Sequence, residues 1–248
     1  MVNEKIYIYG IHTCLSQIEN NPENINKIYI KNSSLNKNLQ NILDIAKQRD
    51  IIVSQCEKTS MDALILSNKH QGVVMEISKR SKGHKFSLDY YIQTQSSPLI
   101  LIIDSIQDPR NLGACLRSAN AAGVSHVVIN KDGSAPINSL VHRTSAGAIN
   151  SLPIFHVTNL SRTIKEIQKY GIWVIGLDGN TKTSLYNLSL NDSIAIVAGS
   201  EGKGIRKLIK KTCDQIVSIP MSGNIESLNV SVATAIALFE SKRQREST

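Results

Sequence analysis

Cysteine is scarce in this chain, at four in 248 residues, and aromatic side chains make up only 4%. Cys14, Cys56, Cys115 and Cys213 are scattered, with no Cys-x-x-Cys pair. That argues against a zinc site or a disulfide framework and fits a reducing, cytoplasmic setting. The bland reading of each cysteine is a small apolar residue. With so few aromatics, Ile, Leu and Val must fill the core, and an apolar fraction of 41% is ample for that. No apolar run approaches the roughly 20 residues that a bilayer span requires. The opening Met-Val-Asn-Glu-Lys-Ile-Tyr lacks the basic-then-apolar order of a secretory signal. Low-complexity tracts and convincing internal repeats are absent as well.

Positive charge is plentiful, and it is unevenly placed. The net charge is +8. Residues 1–77 hold 8 basic and 8 acidic residues, residues 78–97 hold 4 and 1, and residues 98–248 hold 16 and 11. The excess therefore lies in the middle and C-terminal parts. A basic surface of this kind suits a polyanion, most simply nucleic acid, or is a solvated face with no partner.

Periodicity divides the chain into two α/β domains. In residues 1–77 the runs Lys27–Ile30, Ile51–Ser54 and Gly72–Ile77 read as strands, with helices at Leu35–Arg49 and Met61–Leu66. Residues 78–97 open with charge and glycine, lack a clear apolar period and read as a linker. From residue 98 onward, strand-like runs recur at Leu99–Ile103, His126–Asn130, Ile154–Val157, Trp173–Gly176, Ile194–Ala198 and Gln215–Ile219. Helical patterns at Leu112–Ala122, Leu160–Tyr170 and Ile205–Lys211 separate them. Short, wholly apolar strands alternating with helices predict a parallel sheet covered on both faces. The last element, Leu228–Arg245, carries Val232, Ala235, Ile236 and Phe239 along one face.

Three of those strands run into polar, glycine-bearing segments, where ligands of open α/β sheets bind. In the first, Asp108-Pro109 favours a turn, Asn111 is a competent helix N-cap, and Arg117 follows about one and a half turns later. Asn111 can be a cap alone and Arg117 a plain surface cation. The second, Gly199-Ser-Glu-Gly-Lys-Gly204, fits neither the P-loop nor the dinucleotide fingerprint, which disfavours ATP and NAD. Its glycines suggest bare backbone close to a small ligand, with Glu201 as the fixed charge; a solvent-exposed tight turn is the alternative. In the third, Pro220–Ser231, Met221 offers an apolar surface for a flat ring, and Gly223-Asn224 permits a left-handed turn. Ser227 or Asn229 can cap the following helix, leaving the other in need of a partner.

Together these segments resemble the three signature motifs of the SpoU/TrmH branch of the SPOUT methyltransferases. Asp108–Arg117 is similar to Asp-Pro-x-Asn-x-Gly-x-x-x-Arg. Residues 199–204 are similar to Gly-x-Glu-Gly-x-Gly, and 219–231 to Ile-Pro-Met-x-Gly-x-x-x-Ser-Leu-Asn-Val-Ser. Tyr9-Gly-Ile-His12, His70-Gln-Gly-Val-Val74, Ser145-Ala-Gly-Ala148 and Val157-Thr-Asn-Leu160 extend the likeness over nearly the whole chain. One departure is Asn150, where relatives usually carry Glu.

The resemblance implies a C-terminal SPOUT domain at 98–248 with a trefoil knot, an exception to the rule against knotted chains. It implies an N-terminal RNA-binding domain at 1–77 of the L30e/L7Ae type. The implied activity is S-adenosylmethionine-dependent methylation of a ribose 2′-hydroxyl in ribosomal RNA, at a guanosine of the large subunit, by a homodimer without a metal. The same chemistry on transfer RNA, or a catalytically silent ribosome-assembly factor, are the alternatives. Gly199, Ile219, Met221 and Leu228 would hold the cofactor. Asn111, Arg117, Glu201, Ser227 and Asn229 would form the catalytic set, and Arg117, Lys203 and Arg206 would contact RNA.

Overall fold

Alternation of apolar and polar residues sets the first sheet. In the computed structural model, which describes residues 5–33, 35–78, 87–224 and 227–247, four strands form it: β1 (Lys5–Tyr9), β2 (Ile25–Lys31), β3 (Val53–Cys56) and β4 (Val73–Ser78). Their order is β1-β4-β2-β3. β4 runs antiparallel to both neighbours and β3 parallel to β2. Ile8, Ile28, Ile30, Val73, Met75 and Ile77 point to one face and pack under helices α1 (Ile11–Asn20) and α2 (Lys37–Gln48). The opposite face carries Tyr7, Tyr9, Tyr29 and Val74, partly covered by Met61 and Ile65 of α3 (Lys58–Ile65). β1 and α1 have no counterpart in the sequence reading. Lys5-Ile-Tyr-Ile-Tyr9 alternates with period two, and Gly10 at φ +93° turns the chain directly into the helix.

The second sheet is all parallel, as the continuous apolar runs imply. Its elements begin with α4 (Leu88–Gln93), β5 (Leu99–Ile103), α5 (Pro109–Ala122) and β6 (His126–Asn130). After α6 (Ser139–Thr144) come β7 (Ile154–Val157), α7 (Leu160–Gln168), β8 (Trp173–Leu177) and β9 (Ile194–Ala198). α8 (Lys207–Thr212), β10 (Gln215–Val217) and α9 (Val230–Glu246) complete the chain. The strand order is β10-β8-β9-β5-β6-β7, and each neighbouring pair is parallel. Every residue of β5, β6 and β9 is buried, which a sheet sandwiched between helical layers requires. From β5 the chain builds outward to β6 and β7, then returns to the other side for β8, β9 and β10. Such a reversal opens a crevice at the carboxyl ends of the strands.

Several details differ from the sequence reading: α6 was not anticipated, α5 begins earlier, at Pro109, and β10 ends earlier, at Val217. The second half of the segment read as linker is helical: Ser87 caps α4, its side chain accepting from the Tyr90 N–H at 3.2 Å, and Ile92 enters the core. Residues 79–86 lie outside the described residues. On α9, the face bearing Val232 and Phe239 points outward, these two being 46% and 45% exposed. The inward face carries Ala237 and Leu238 with two buried hydroxyls, Thr234 and Ser241. Thr234 donates to the Val230 carbonyl at 2.7 Å and Ser241 to the Leu190 carbonyl at 2.8 Å, so neither is left without a partner.

By their internal contacts, Met1–Gly83 and Ile137–Ser151 form one compact unit, and His84–Pro136 with Leu152–Thr248 the other. Within the first unit, Asn138 caps α6, its carbonyl accepting from the N–H groups of Leu140 and Val141 at 3.0 and 3.1 Å. Ser16 donates to the Gly147 carbonyl at 2.8 Å, and Asn21 to the Asn150 carbonyl at 2.8 Å. Asn150 is buried there. A Cβ on Gly147 would strike the Ser16 side chain. No described helix is long and apolar enough to cross a membrane. The described residues contain no group of three or more His, Cys, Asp or Glu placed to hold a metal ion.

Candidate active site

The loop after β5 is organised by two aspartates. Asp108, not Asn111, caps α5: its carboxylate accepts from the Arg110 N–H at 2.8 Å, with Pro109 at the first helical position. Asn111 therefore sits inside the first turn, buried, with its side-chain amide free for another partner. That partner is Glu201, whose Oε2 accepts from Asn111 Nδ2 at 2.8 Å. Arg117, further along α5, is exposed and makes no hydrogen bond or ion pair with another described residue.

The loop after β9 closes on itself. Ser200 and Gly204 exchange backbone hydrogen bonds at 2.9 Å each way. A Cβ on Gly199 would collide with the carbonyl of Gly204 and the nitrogen of Ile205. The backbone that Gly199 admits is thus the loop's own, which corrects the reading that its bareness serves a ligand. Gly202 and Gly204 adopt φ +76° and +63°, the left-handed region. The tight turn and the ligand wall are one structure, since residues 199–204 also line the cavity described below.

Sequence reasoning missed the residue that anchors this loop. Asp104 is fully buried at the end of β5. It accepts from the Arg206 backbone N–H at 2.9 Å and from Arg206 Nε at 2.6 Å. The signal was a lone acid ending the apolar run Leu-Ile-Leu-Ile-Ile. Arg206, expected only to meet RNA, is therefore also a brace between two loops, with its side chain still half exposed. Lys203 is exposed at the tip. Lys210 is tied to Asp178 at 2.7 Å. Burial alone would raise the Asp178 pKa, but the Lys210 ammonium and the Asn180 N–H hold it below the usual carboxylate range.

The third loop completes the set. Asn229 caps α9, its Oδ1 accepting from the Ser231 N–H at 2.9 Å and the Ser231 hydroxyl at 2.6 Å. Its Nδ2 donates to Glu201 Oε1 at 3.0 Å and to Asn111 Oδ1 at 3.1 Å. The same residue is cap and site member, where the sequence suggested two residues sharing these tasks. Ser227 is exposed and lines the cavity. Gly223 does not use a left-handed turn, and residues 225–226 lie outside the described residues. Three segments distant in sequence thus meet in one hydrogen-bonded triangle, Asn111–Glu201–Asn229.

This double role is separable. Asn229→Ala should cost about 1 kcal/mol or more of stability from the lost cap, read by urea denaturation. Asn229→Ser restores a capping oxygen but not the amide, so its stability should return while the site stays defective. Full activity in the serine variant would show that the amide is dispensable.

Beside the triangle lies a cavity of about 250 Å³, at the carboxyl ends of β8 and β9 and against α9. Gly199, Ile219, Met221 and Leu228, the residues expected to hold a cofactor, all line it, as do Glu201 and Ser227. The Leu177–Asn180 turn after β8 also lines it and was not anticipated. An Asp-Gly pair directly after an apolar strand was the only trace of it in the sequence. Asn111 and Arg117 are not part of this wall; Glu201 joins it to the outer polar residues. The arrangement suits a ligand that places a flat ring against Met221 and Leu228 and polar groups against loop backbone.

Residues 98–239 match the family described as SpoU rRNA Methylase. Residues 7–82 match the family described as RNA 2′-O ribose methyltransferase substrate binding. The chain is 41% identical over 239 residues to the 23S rRNA (guanosine-2′-O-)-methyltransferase RlmB of Haemophilus ducreyi, covering 96% of this chain and 97% of that one. It is 42% identical over 246 residues to the protein of the same name from Xanthomonas campestris pv. campestris, covering 99% of each. The SpoU methyltransferase AviRb of Streptomyces viridochromogenes, crystallised with AdoMet, shares the fold with a TM-score of 0.82 at 22% identity, covering 98% of this chain and 92% of that one. A TrmH-family structure from Porphyromonas gingivalis gives a TM-score of 0.76 at 25% identity, covering 98% and 90%.

Proposed function

The chain belongs to the SpoU methylase family, and on that premise we propose that it methylates the ribose 2′-hydroxyl of a guanosine in large-subunit ribosomal RNA, using S-adenosylmethionine. The observation that carries this reading is the Asn111–Glu201–Asn229 triangle closing beside the cavity. Gly199, Ile219, Met221 and Leu228 would hold the cofactor, and the cavity they line with the self-bridged loop fits its flat base and polar tail. When bound, the cofactor supplies an already activated methyl group. What remains for the protein is chiefly alignment, which can contribute roughly 7–11 kcal/mol.

Each residue of the site has a task in that alignment. Both oxygens of Glu201 already accept hydrogen bonds from amides. Its task is to hold Asn111 and Asn229, not to take a proton. Arg117 has no lone pair to serve as a base. Its guanidinium, unpaired among the described residues, clamps an RNA phosphate and steadies the negative charge growing on the 2′-oxygen. The proton leaves to a phosphate oxygen or water. Ser227 borders the cavity from the third loop, and Lys203 and Arg206 extend the phosphate contacts.

On this reading residues 1–77 bind the substrate RNA and 98–248 perform the transfer, apart from 137–151, whose contacts group them with the first unit; the work is done in the cytoplasm, where ribosomal RNA is matured. The active form is a homodimer. The outward face of α9, where Val232 and Phe239 are 46% and 45% exposed, is the candidate interface. Phe239→Glu should convert the protein to a monomer in sedimentation analysis. An unchanged dimer would move the interface elsewhere.

The test of the function is transfer of labelled methyl groups to bulk ribosomal RNA and to transfer RNA, with the modified nucleotide then mapped. Label on a guanosine ribose of the large subunit is the expected result. Label in transfer RNA only, or none at all, would overturn it.

A further inference from the structure

The first unit, residues 1–83 and 137–151, contains only three Phe, Trp or Tyr residues: Tyr7, Tyr9 and Tyr29. All three occupy the same face of its sheet, opposite the aliphatic core. Tyr9 is buried, with the Arg143 guanidinium 5.6 Å above its ring and donating to its hydroxyl at 2.9 Å. Tyr7 and Tyr29 are partly buried and retain some solvent exposure, their ring centroids 6.5 Å apart and tilted by 53°. In a chain so poor in aromatic rings, two that share one sheet face and keep part of their surface in solvent offer a place for a flat ligand group.

The polar groups around the pair show what kind. Glu76 lies between the two tyrosines with its side chain only 8% exposed. It accepts from the Tyr7 and Tyr29 hydroxyls at 3.3 and 3.4 Å and from Asn26 at 3.4 Å, and it pairs with Lys5 at 3.1 Å. The carboxylate is thereby used internally, and both rings are held in fixed orientations. Outward-facing charge at this spot is positive: Lys5 is 60% exposed, and the Lys27 ammonium stands 5.1 Å from the Tyr29 ring. Oriented aromatic rings flanked by ammonium groups match an unpaired nucleic-acid strand, whose bases stack while its phosphates meet cations.

We infer that this face of the first sheet docks an unpaired segment of the RNA substrate, a base stacking on the Tyr7–Tyr29 pair while Lys5 and Lys27 contact the flanking phosphates. The inference rests on the reading of RNA as substrate and adds where on the first unit the RNA is held. Stacking reads the flat face common to all bases, so the contact adds affinity without choosing the sequence.

Fluorescence anisotropy with the full chain and a labelled, unstructured 12-nucleotide RNA tests it. The double variant Tyr7→Ala/Tyr29→Ala should weaken binding about 10- to 100-fold, while Tyr7→Phe, which keeps the ring, should stay within about twofold of the unaltered chain. Lys27→Gln should flatten the slope of log affinity against log salt by about 0.7. Unchanged affinity in the double alanine variant overturns the inference. So does unchanged RNA affinity with loss of binding to ribosomal proteins. If the double variant does not fold, cross-linking of the unaltered chain to 5-iodouridine RNA decides: adducts at Tyr7 or Tyr29 support the face, and adducts confined to other peptides overturn it. No RNA binding by the unaltered chain sinks the substrate reading itself, and this inference with it.

Discussion

Arg117→Ala is expected to lower methyl transfer by about 10²- to 10³-fold while leaving the affinity for S-adenosylmethionine unchanged. The separation follows from geometry. Arg117 is exposed on α5, pairs with no other described residue and does not line the cavity. Its removal therefore leaves the wall of the cofactor site intact. What is lost is a planar cation that, in the proposed clamp, would meet phosphate with two parallel donors and that stays charged at every working pH. Arg117→Lys keeps the charge but not the fork, and should recover only part of the activity, remaining about tenfold or more below the unaltered enzyme. Equilibrium dialysis with labelled cofactor, run beside single-turnover methyl transfer, reads both quantities. Near-full activity in the lysine variant would sink the clamp, and lost cofactor affinity in the alanine variant would place Arg117 in the cavity after all.

Gly199→Ala should have the opposite signature: cofactor affinity falls tenfold or more, and turnover falls with it. Carbon added at position 199 meets backbone, not a flexible side chain, because Gly204 and Ile205 lie directly against it. The Ser200–Gly204 bridge must open or the whole loop must move, and Glu201 within it then leaves both asparagines. Gly202→Ala is the control. A Cβ there meets nothing within 4 Å, so only the strain of φ +76° remains. That strain costs about 1–2 kcal/mol. Calorimetric titration with the cofactor should rank the unaltered chain first, Gly202→Ala a little below it and Gly199→Ala far below. Similar affinities for the two variants would mean that the loop's self-contact does not shape the site.

The fold was legible where strands are built around short apolar runs. Leu99–Ile103, His126–Asn130, Ile154–Val157 and Ile194–Ala198 read correctly to the residue. Three of these, β5, β6 and β9, are buried along their whole length and end abruptly at polar loops, so their limits are sharp. Weaker elements were not legible. β1 alternates over only five residues, and α4 is six residues long with one buried side chain, Ile92. Neither is long enough for a period to stand out. On α9 the apolar residues run nearly all round, and the sequence could not show which side is inward. That was settled by the partners waiting for Thr234 and Ser241.

The site divides in the same way. The apolar runs by themselves indicated the parallel sheet, and the three motifs, through their resemblance to a known family, pointed to that family and singled out Asn111, Arg117, Glu201 and Asn229 as candidates. Tertiary structure alone decided what those residues do: that Asp108 takes the cap and releases Asn111, that Gly199 faces its own loop, that Asn229 serves two purposes, and that Asp104 and the 177–180 turn belong to the site. The Asp108 cap and the Gly199 contact are local, but the bonds that join Asn111, Glu201, Asn229 and Asp104 with Arg206 span 28 to 118 residues of sequence. Which segments come together is set by strand order in the sheet, and local pattern carries no record of that order.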